Sequence, residues 1–341
     1  MMVRCLTFHA RYACHDSGAC CTAGWPIPVE ADRLTTIAAA VSEGRLVPPS
    51  LARPLWIQPA HAPASTPAQL QFDERGCVFH EARNGGRCRV HRVLGHGALP
   101  LACRQFPRVS VVDPRGASVT LSHYCPTAAD LLDDGAVIAI TAEPPAFPAD
   151  TEIVGLDVKA SLPPLLAPNM LMDWEAWWDW ERRAVDTFAR TDQTPQQALA
   201  TLSAAVEGMR AWTPADGPLL ARIDHAFMRA VENEIGNVRV EAPIYPSALS
   251  DALTAIPPDL RPVRLERSDA PSPTVVRAFL AAHAFANWTA HLGHGLRSWL
   301  RSLEAAFSLV NTLGVRQTDL LLRHLGDPNE LATVWSRAEA E

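Results

Sequence analysis

From about residue 169 onward, apolar positions recur at three- and four-residue spacing, the period of a helix with one buried face. Trp174, Trp178, Val185 and Phe188 trace one such stripe, with Glu181 on the same line. Thr194 before Pro195 reads as a helix start, a capping side chain followed by a residue whose missing N–H costs nothing there. Ala198, Leu202, Ala205, Met209 and Trp212 then keep to one face. Ser272-Pro273 opens another helix, expected to break at Gly293-His294-Gly295, after which Leu296, Trp299, Leu300, Leu303, Phe307 and Val310 resume the stripe. The tryptophans of DWEAWWDW hold helical spacing and are expected in a core rather than in an aromatic cage. His283, His291 and His294 are read first as core or helix-surface residues.

The first 140 residues are patterned differently. RVSVVDPRGASVTLSHYC sets two β-branched runs around Asp113-Pro114-Arg115-Gly116, with aspartate, proline and glycine at the turn positions that favour them, so a hairpin is predicted. Residues 44–68 hold six prolines and read as an irregular connection. The pattern as a whole predicts an α-rich α+β fold: a small irregular cysteine-cluster module with short β-hairpins (1–140), a proline-rich connection (141–168) and a helical domain (169–341) on which the module packs.

Composition adds limits. The chain has 341 residues, 48% of them apolar and 20% charged, enough to bury a large core. No apolar run reaches the length of a membrane span, and MMVRCLTFHARYAC lacks the layout of a secretory signal, so a cytoplasmic address and no membrane partner are expected. The formal net charge is −7, which argues against nucleic acid as a partner. That charge is unevenly spread: residues 1–125 carry 13 arginines against eight acidic residues, and the rest carries 17 basic residues against 29 acidic ones.

All eight cysteines fall in residues 1–125. In a reducing compartment such a set points to metal binding or catalysis rather than to disulfides. The segments are CHDSGACC (14–21), CVFHEARNGGRC (77–88), GHGALPLACRQFPR (95–108) and HYCP (123–126). Thiolates select zinc, copper(I) or iron–sulfur clusters, and Gly18 and Gly85-Gly86 supply tight turns beside them. Eight arginines lie between 75 and 115. Arg104, next to Cys103, is the first choice for donating to sulfur and offsetting the charge of a thiolate centre.

YACHDSGACC, then CVF, CRVHRVLG, LACRQFPRV and CP, resembles the YkgJ-like cysteine-cluster family of zinc- or iron-chelating domains. CCTAGWPIPVE, LPLACRQFPRV and CPTAADLL are similar, more narrowly, to its flagellin lysine N-methylase (FliB-like) branch. The resemblance covers about residues 8–135. It implies that Cys14, Cys20, Cys21, Cys77, Cys88, Cys103 and Cys125 are the metal positions, while Ser17 stands where the family has a further cysteine. Seven cysteines favour one four-ligand site, a 4Fe–4S cluster or zinc, with the others near it or in a second site completed by His15, His80 or His91. The narrower resemblance implies methyl transfer from S-adenosylmethionine to a lysine of another protein, such as flagellin. No glycine-rich nucleotide-binding loop, HExxH or Walker loop is present. Three classes of function stay open: an iron–sulfur modifying enzyme, a zinc- or iron-chelating protein without catalysis, and a thiol redox protein cycling Cys20 and Cys21.

Overall fold

The structure, a computed structural model, describes residues 1–48, 54–58, 68–73, 76–81, 86–148, 152–235, 245–258, 265 and 268–341. About 53% is helical and 13% lies in strands of small sheets, a helix-rich α+β fold. Among the described residues no helix is long and apolar enough to cross a membrane.

The hairpin of the sequence forms as two antiparallel strands, Arg108–Asp113 and Gly116–Leu121, in register from Asp113↔Gly116 to Leu121↔Arg108. The Asp113 carboxylate accepts the Arg115 backbone N–H at 2.8 Å and so closes the turn. Val3–Leu6 runs parallel to the second strand and carries Ile140–Ala142 on its far side, while Leu156–Asp157 adds to the first strand. The proline-rich 141–168 stretch, read as a connection, therefore supplies edge strands, where a strand can be short and interrupted. Most of the 44–68 stretch lies outside the described residues; within it Leu46 is buried and Trp56–Ile57 pairs with Ala68–Leu70.

Helices follow the predicted stripes. Asp173 caps Trp174–Ala189, and Thr194 and Gln197 form a reciprocal capping box on Pro195–Arg210. Ser272 caps Pro273–Ala284. This last helix ends nine residues before Gly293, the first of the expected glycines, because Ala286 turns into the left-handed region (φ 53°) and gives its N–H to the Glu181 carboxylate at 3.1 Å. Glu181 also receives Arg115 at 3.1 Å, which explains a carboxylate on a buried stripe. Trp177 and Trp180 are fully buried, and Trp174 and Trp178 pack on the same core, as the helical spacing predicted.

The cores do not respect the sequence halves. Leu6, Phe8 and Val111 pack among the helices, and Cys21, Trp25, Val29 and Cys77 share a second core with Leu309, Leu321 and Trp335. Long-range polar ties reinforce this: Thr120 donates to the Ala282 carbonyl at 3.0 Å and Trp288 to the Ser110 carbonyl at 3.0 Å.

At the centre sits Asp319, fully buried near the end of Leu296–Leu320. Its carboxylate accepts Ser122 Oγ at 2.6 Å, lies 3.0 Å from His283 Nε2 and pairs with Arg323 Nε at 3.1 Å. A single π-helical turn, Leu321–Leu325, follows and aims Arg323 and His324 back at this group, with His324 Nε2 2.6 Å from Ser122 Oγ. His123 lies 3.8 Å from the same carboxylate and 3.1 Å from His9. Against the cost of burial, the Arg323 charge and hydrogen bonding from His123 and His283 hold the Asp319 carboxyl ionised.

Two outcomes are expected. Asp319→Asn leaves Arg323 buried without its counter-charge and should destabilise the fold by about 3–5 kcal/mol, measured by chemical denaturation. Burial also pushes His283, His291 and His324 down to about 4. An unfolded imidazole titrates near ~6.5, so between these values the unfolded chain binds more protons and stability falls as pH falls. Glu304, pushed up to about 7 by burial, works in the opposite sense over part of the same range. Burial lowers His9 and His123 in the same direction, so the histidines outweigh the one carboxyl and the unfolding free energy should drop by at least about 2 kcal/mol per pH unit between pH 6 and 5; a flat profile across that window would contradict the neutral buried histidines.

Candidate metal centre

Glycine contacts bring the cysteine segments together. Gly18, left-handed at φ 70°, starts the short helix Ala19–Thr22 that carries Cys20 and Cys21, and a side chain on it would strike the Gly86 carbonyl. Gly76 (φ 114°) lies in the same way against the Cys21 carbonyl and sets the strand Gly76–Cys77 beside that helix. Cys88 ends the strand Arg87–Cys88, paired with His80–Glu81, and precedes the helix Arg89–Leu94. Cys103 sits in Leu101–Gln105, whose first N–H is accepted by both Glu30 oxygens at 3.2 Å. None of the eight cysteines, all of them described, is in a disulfide.

The seven sequence-predicted positions divide into two groups. Cys20 Sγ stands 4.0 Å from Cys21 Sγ, and the Cys21 thiol also bonds to Cys88. Hydrogen bonding from Cys21 lowers the Cys20 thiol and brings Cys88 to about 7, while Cys21 itself is pushed up. Cys103 is raised by burial and then by the charges of Cys20, Cys77 and Cys88, which places all five in one electrostatic neighbourhood. Cys14 and Cys125 stand together elsewhere: Tyr12 Oη is 3.9 Å from Cys125 Sγ and also bonds Cys14. Cys5 is buried in the sheet, in the same small core as Cys125, its thiol raised to about 12 by burial.

Among the described residues no three His, Cys, Asp or Glu side chains already stand as a complete metal site. The donor chemistry nevertheless fits one. Two thiolates at 2.3 Å from one tetrahedral ion are about 3.8 Å apart, close to the 4.0 Å between Cys20 and Cys21. Of the histidines considered as extra ligands, His80 pairs in register with Cys88, with its Nε2 beside the Gly18 and Gly86 turns, whereas His91 lies 4.0 Å from Asp16 near Cys14.

The chain matches no protein-family model, no curated protein and no solved structure. The site therefore rests on its own residues.

The arginines differ from expectation. Arg104 donates to the Leu99 carbonyl at 3.2 Å and to Glu152, and gives sulfur nothing. Arg89 and Arg92 converge on Glu81 at 2.6–2.9 Å, and hydrogen bonds from Arg92 and Arg89 hold that carboxyl down to about 2. Carboxylates outcompete thiols as acceptors for guanidinium. Arg75 and Arg83 lie outside the described residues. Sequence reasoning also missed the Asp319 group. Its one visible sign was TDLLLRHL, where Asp319 and Arg323 interrupt an apolar helix at i, i+4 spacing.

Gly18 and Gly24 offer a matched pair, since both are left-handed but only Gly18 meets backbone across the gap. Gly18→Ala should cost at least about 1 kcal/mol more than Gly24→Ala, beyond the backbone strain both share. Denaturation midpoints of the two variants check it, and equal losses would mean that the turns do not depend on this contact.

Proposed function

We propose that this protein binds a metal centre through cysteine thiolates, with Cys20, Cys21 and Cys88 at its heart and Cys77 and Cys103 completing the donors. The observation that carries this reading is the gathering of five reduced cysteines from three chain segments, three of them linked thiol to thiol. Thiols brought so close cost reactivity and mutual repulsion on ionisation, and a bound cation offsets both.

The centre is read as a 4Fe–4S cluster, favoured by the surplus of thiols and by the resemblance of residues 8–135 to the lysine N-methylase branch of the YkgJ-like proteins. Zinc is the second reading, favoured by the Cys20–Cys21 spacing. The activity that goes with the first reading is methyl transfer from S-adenosylmethionine to the side-chain amine of a lysine on another protein, flagellin being the substrate of the similar branch. In that reaction the sulfonium–methyl bond breaks, a nitrogen–carbon bond forms and the amine loses a proton. A cluster would supply an iron able to hold the cofactor's amino and carboxylate groups; this chain's own residues would orient the donors and exclude water. Cys14 and Cys125 are assigned outside this set.

Protein purified without oxygen should carry about four iron and four acid-labile sulfide per chain, with absorbance near ~400 nm. One zinc without sulfide would replace the first reading by the second, and thiol counts that change with oxidant in the absence of metal would replace both by redox chemistry. Cys88→Ser should lower metal content at least about tenfold, whereas Cys5→Ser should leave it unchanged; equal retention by both variants would remove Cys88 from the donor set.

A further inference from the structure

A cavity of about 710 Å³ opens beside the cysteine region, between the helix that carries Cys103, the first strand of the hairpin and the C-terminal helices. That volume lies in the range of pockets that enclose small organic ligands.

The wall is aromatic on one side. Trp25 stacks on His324 with ring centroids 4.3 Å apart and an interplanar angle of 25°, and Phe106 leans on Trp25 at 5.2 Å. Trp288, fixed by its bond to the Ser110 carbonyl, and Trp335 complete this side. Such rings offer flat faces to a planar guest.

The charges on the wall are almost all committed. Glu30 accepts the Leu101 N–H, Asp327 accepts the N–H groups of Asn329 and Glu330, and Arg323 is paired with Asp319. His283 and His324 are kept neutral by burial. Arg108 is different. Its Nη2 donates to the Arg104 carbonyl at 2.5 Å, its Nε has no partner, and among the described residues no carboxylate lies within ion-pair distance of it. Two further wall residues hold unpartnered polar atoms, Ser110 Oγ and Asn287 Oδ1, and both residues are at least nine-tenths buried. Leaving such groups unpaired in the interior is costly, and a ligand can relieve that cost.

We propose that this cavity is a binding site for a planar aromatic small molecule bearing an anionic group, the ring lying against Trp25, Phe106 and Trp288 and the anion meeting Arg108. The site is independent of the metal reading: it needs no thiolate, and it stands or falls on a protein with or without metal.

Two fluorescent probes of nearly the same shape test it on the full chain: 8-anilinonaphthalene-1-sulfonate, which carries an anion, and N-phenyl-1-naphthylamine, which does not. Both should saturate at one per chain. Arg108→Gln should weaken the sulfonate about tenfold, as loss of one charge-assisted hydrogen bond implies, and should leave the neutral probe within about twofold. Should Arg108→Gln fail to fold, Val154→Trp serves, because Val154 is 43% exposed at the edge of the same cavity and a larger side chain there closes the entrance. That variant should abolish saturable binding of both probes. Absence of saturable binding in the parent protein, equal response of the two probes to Arg108→Gln, or full affinity in Val154→Trp would each overturn the proposal.

Discussion

A single buried carboxylate organises the junction on which the rest of the molecule depends. Asp319 can remain ionised in the interior only because Arg323, Ser122 and His283 surround it, and these come from three separate elements. Removing the charge would strand a guanidinium that is itself buried. The end of the hairpin, the Pro273–Ala284 helix and the π-helical turn are therefore fixed relative to one another by electrostatic necessity rather than by apolar packing, which tolerates sliding more readily. The cavity wall inherits this rigidity, since His283, Arg323 and His324 belong to both.

A different constraint holds the cysteines. Their gathering depends on glycine backbones touching across the Gly18–Gly86 and Gly76–Cys21 gaps, and on Glu81 anchoring the following helix through Arg89 and Arg92. The aromatic cluster of Trp25, Phe106 and His324 lies between the two systems, and Cys103 shares a helix with residues of the cavity wall. The cysteine group and the pocket are thus neighbours built by unrelated means.

Much of this was legible in the sequence because its signals are local. The helix starts at Thr194 and Ser272, the turn chemistry of Asp113–Gly116 and the stripe through Trp174, Trp178, Val185 and Phe188 each act within a few positions of chain. The cysteine spacing raised the expectation of a thiol cluster beside glycine turns. It could not indicate which thiols meet, because that depends on segments up to 83 positions apart, Cys20 to Cys103, folding past one another. Arg104 shows the same dependence on distant chain: beside the Leu99 carbonyl, its partner here is a carboxylate brought from residue 152. The early end of the Pro273 helix likewise follows from a distant partner, Glu181, that no local pattern reveals.

The glycine contacts have one further consequence. Spacing set by backbone against backbone does not change when side chains repack, so the sulfurs of Cys20 and Cys88 keep their separation through substitutions in the surrounding core. The entropy of collecting these thiols is spent when the chain folds. The chemistry of the thiols and the stability of the fold then become quantities that can drift apart over evolution, one tuned at the sulfurs and the other everywhere else.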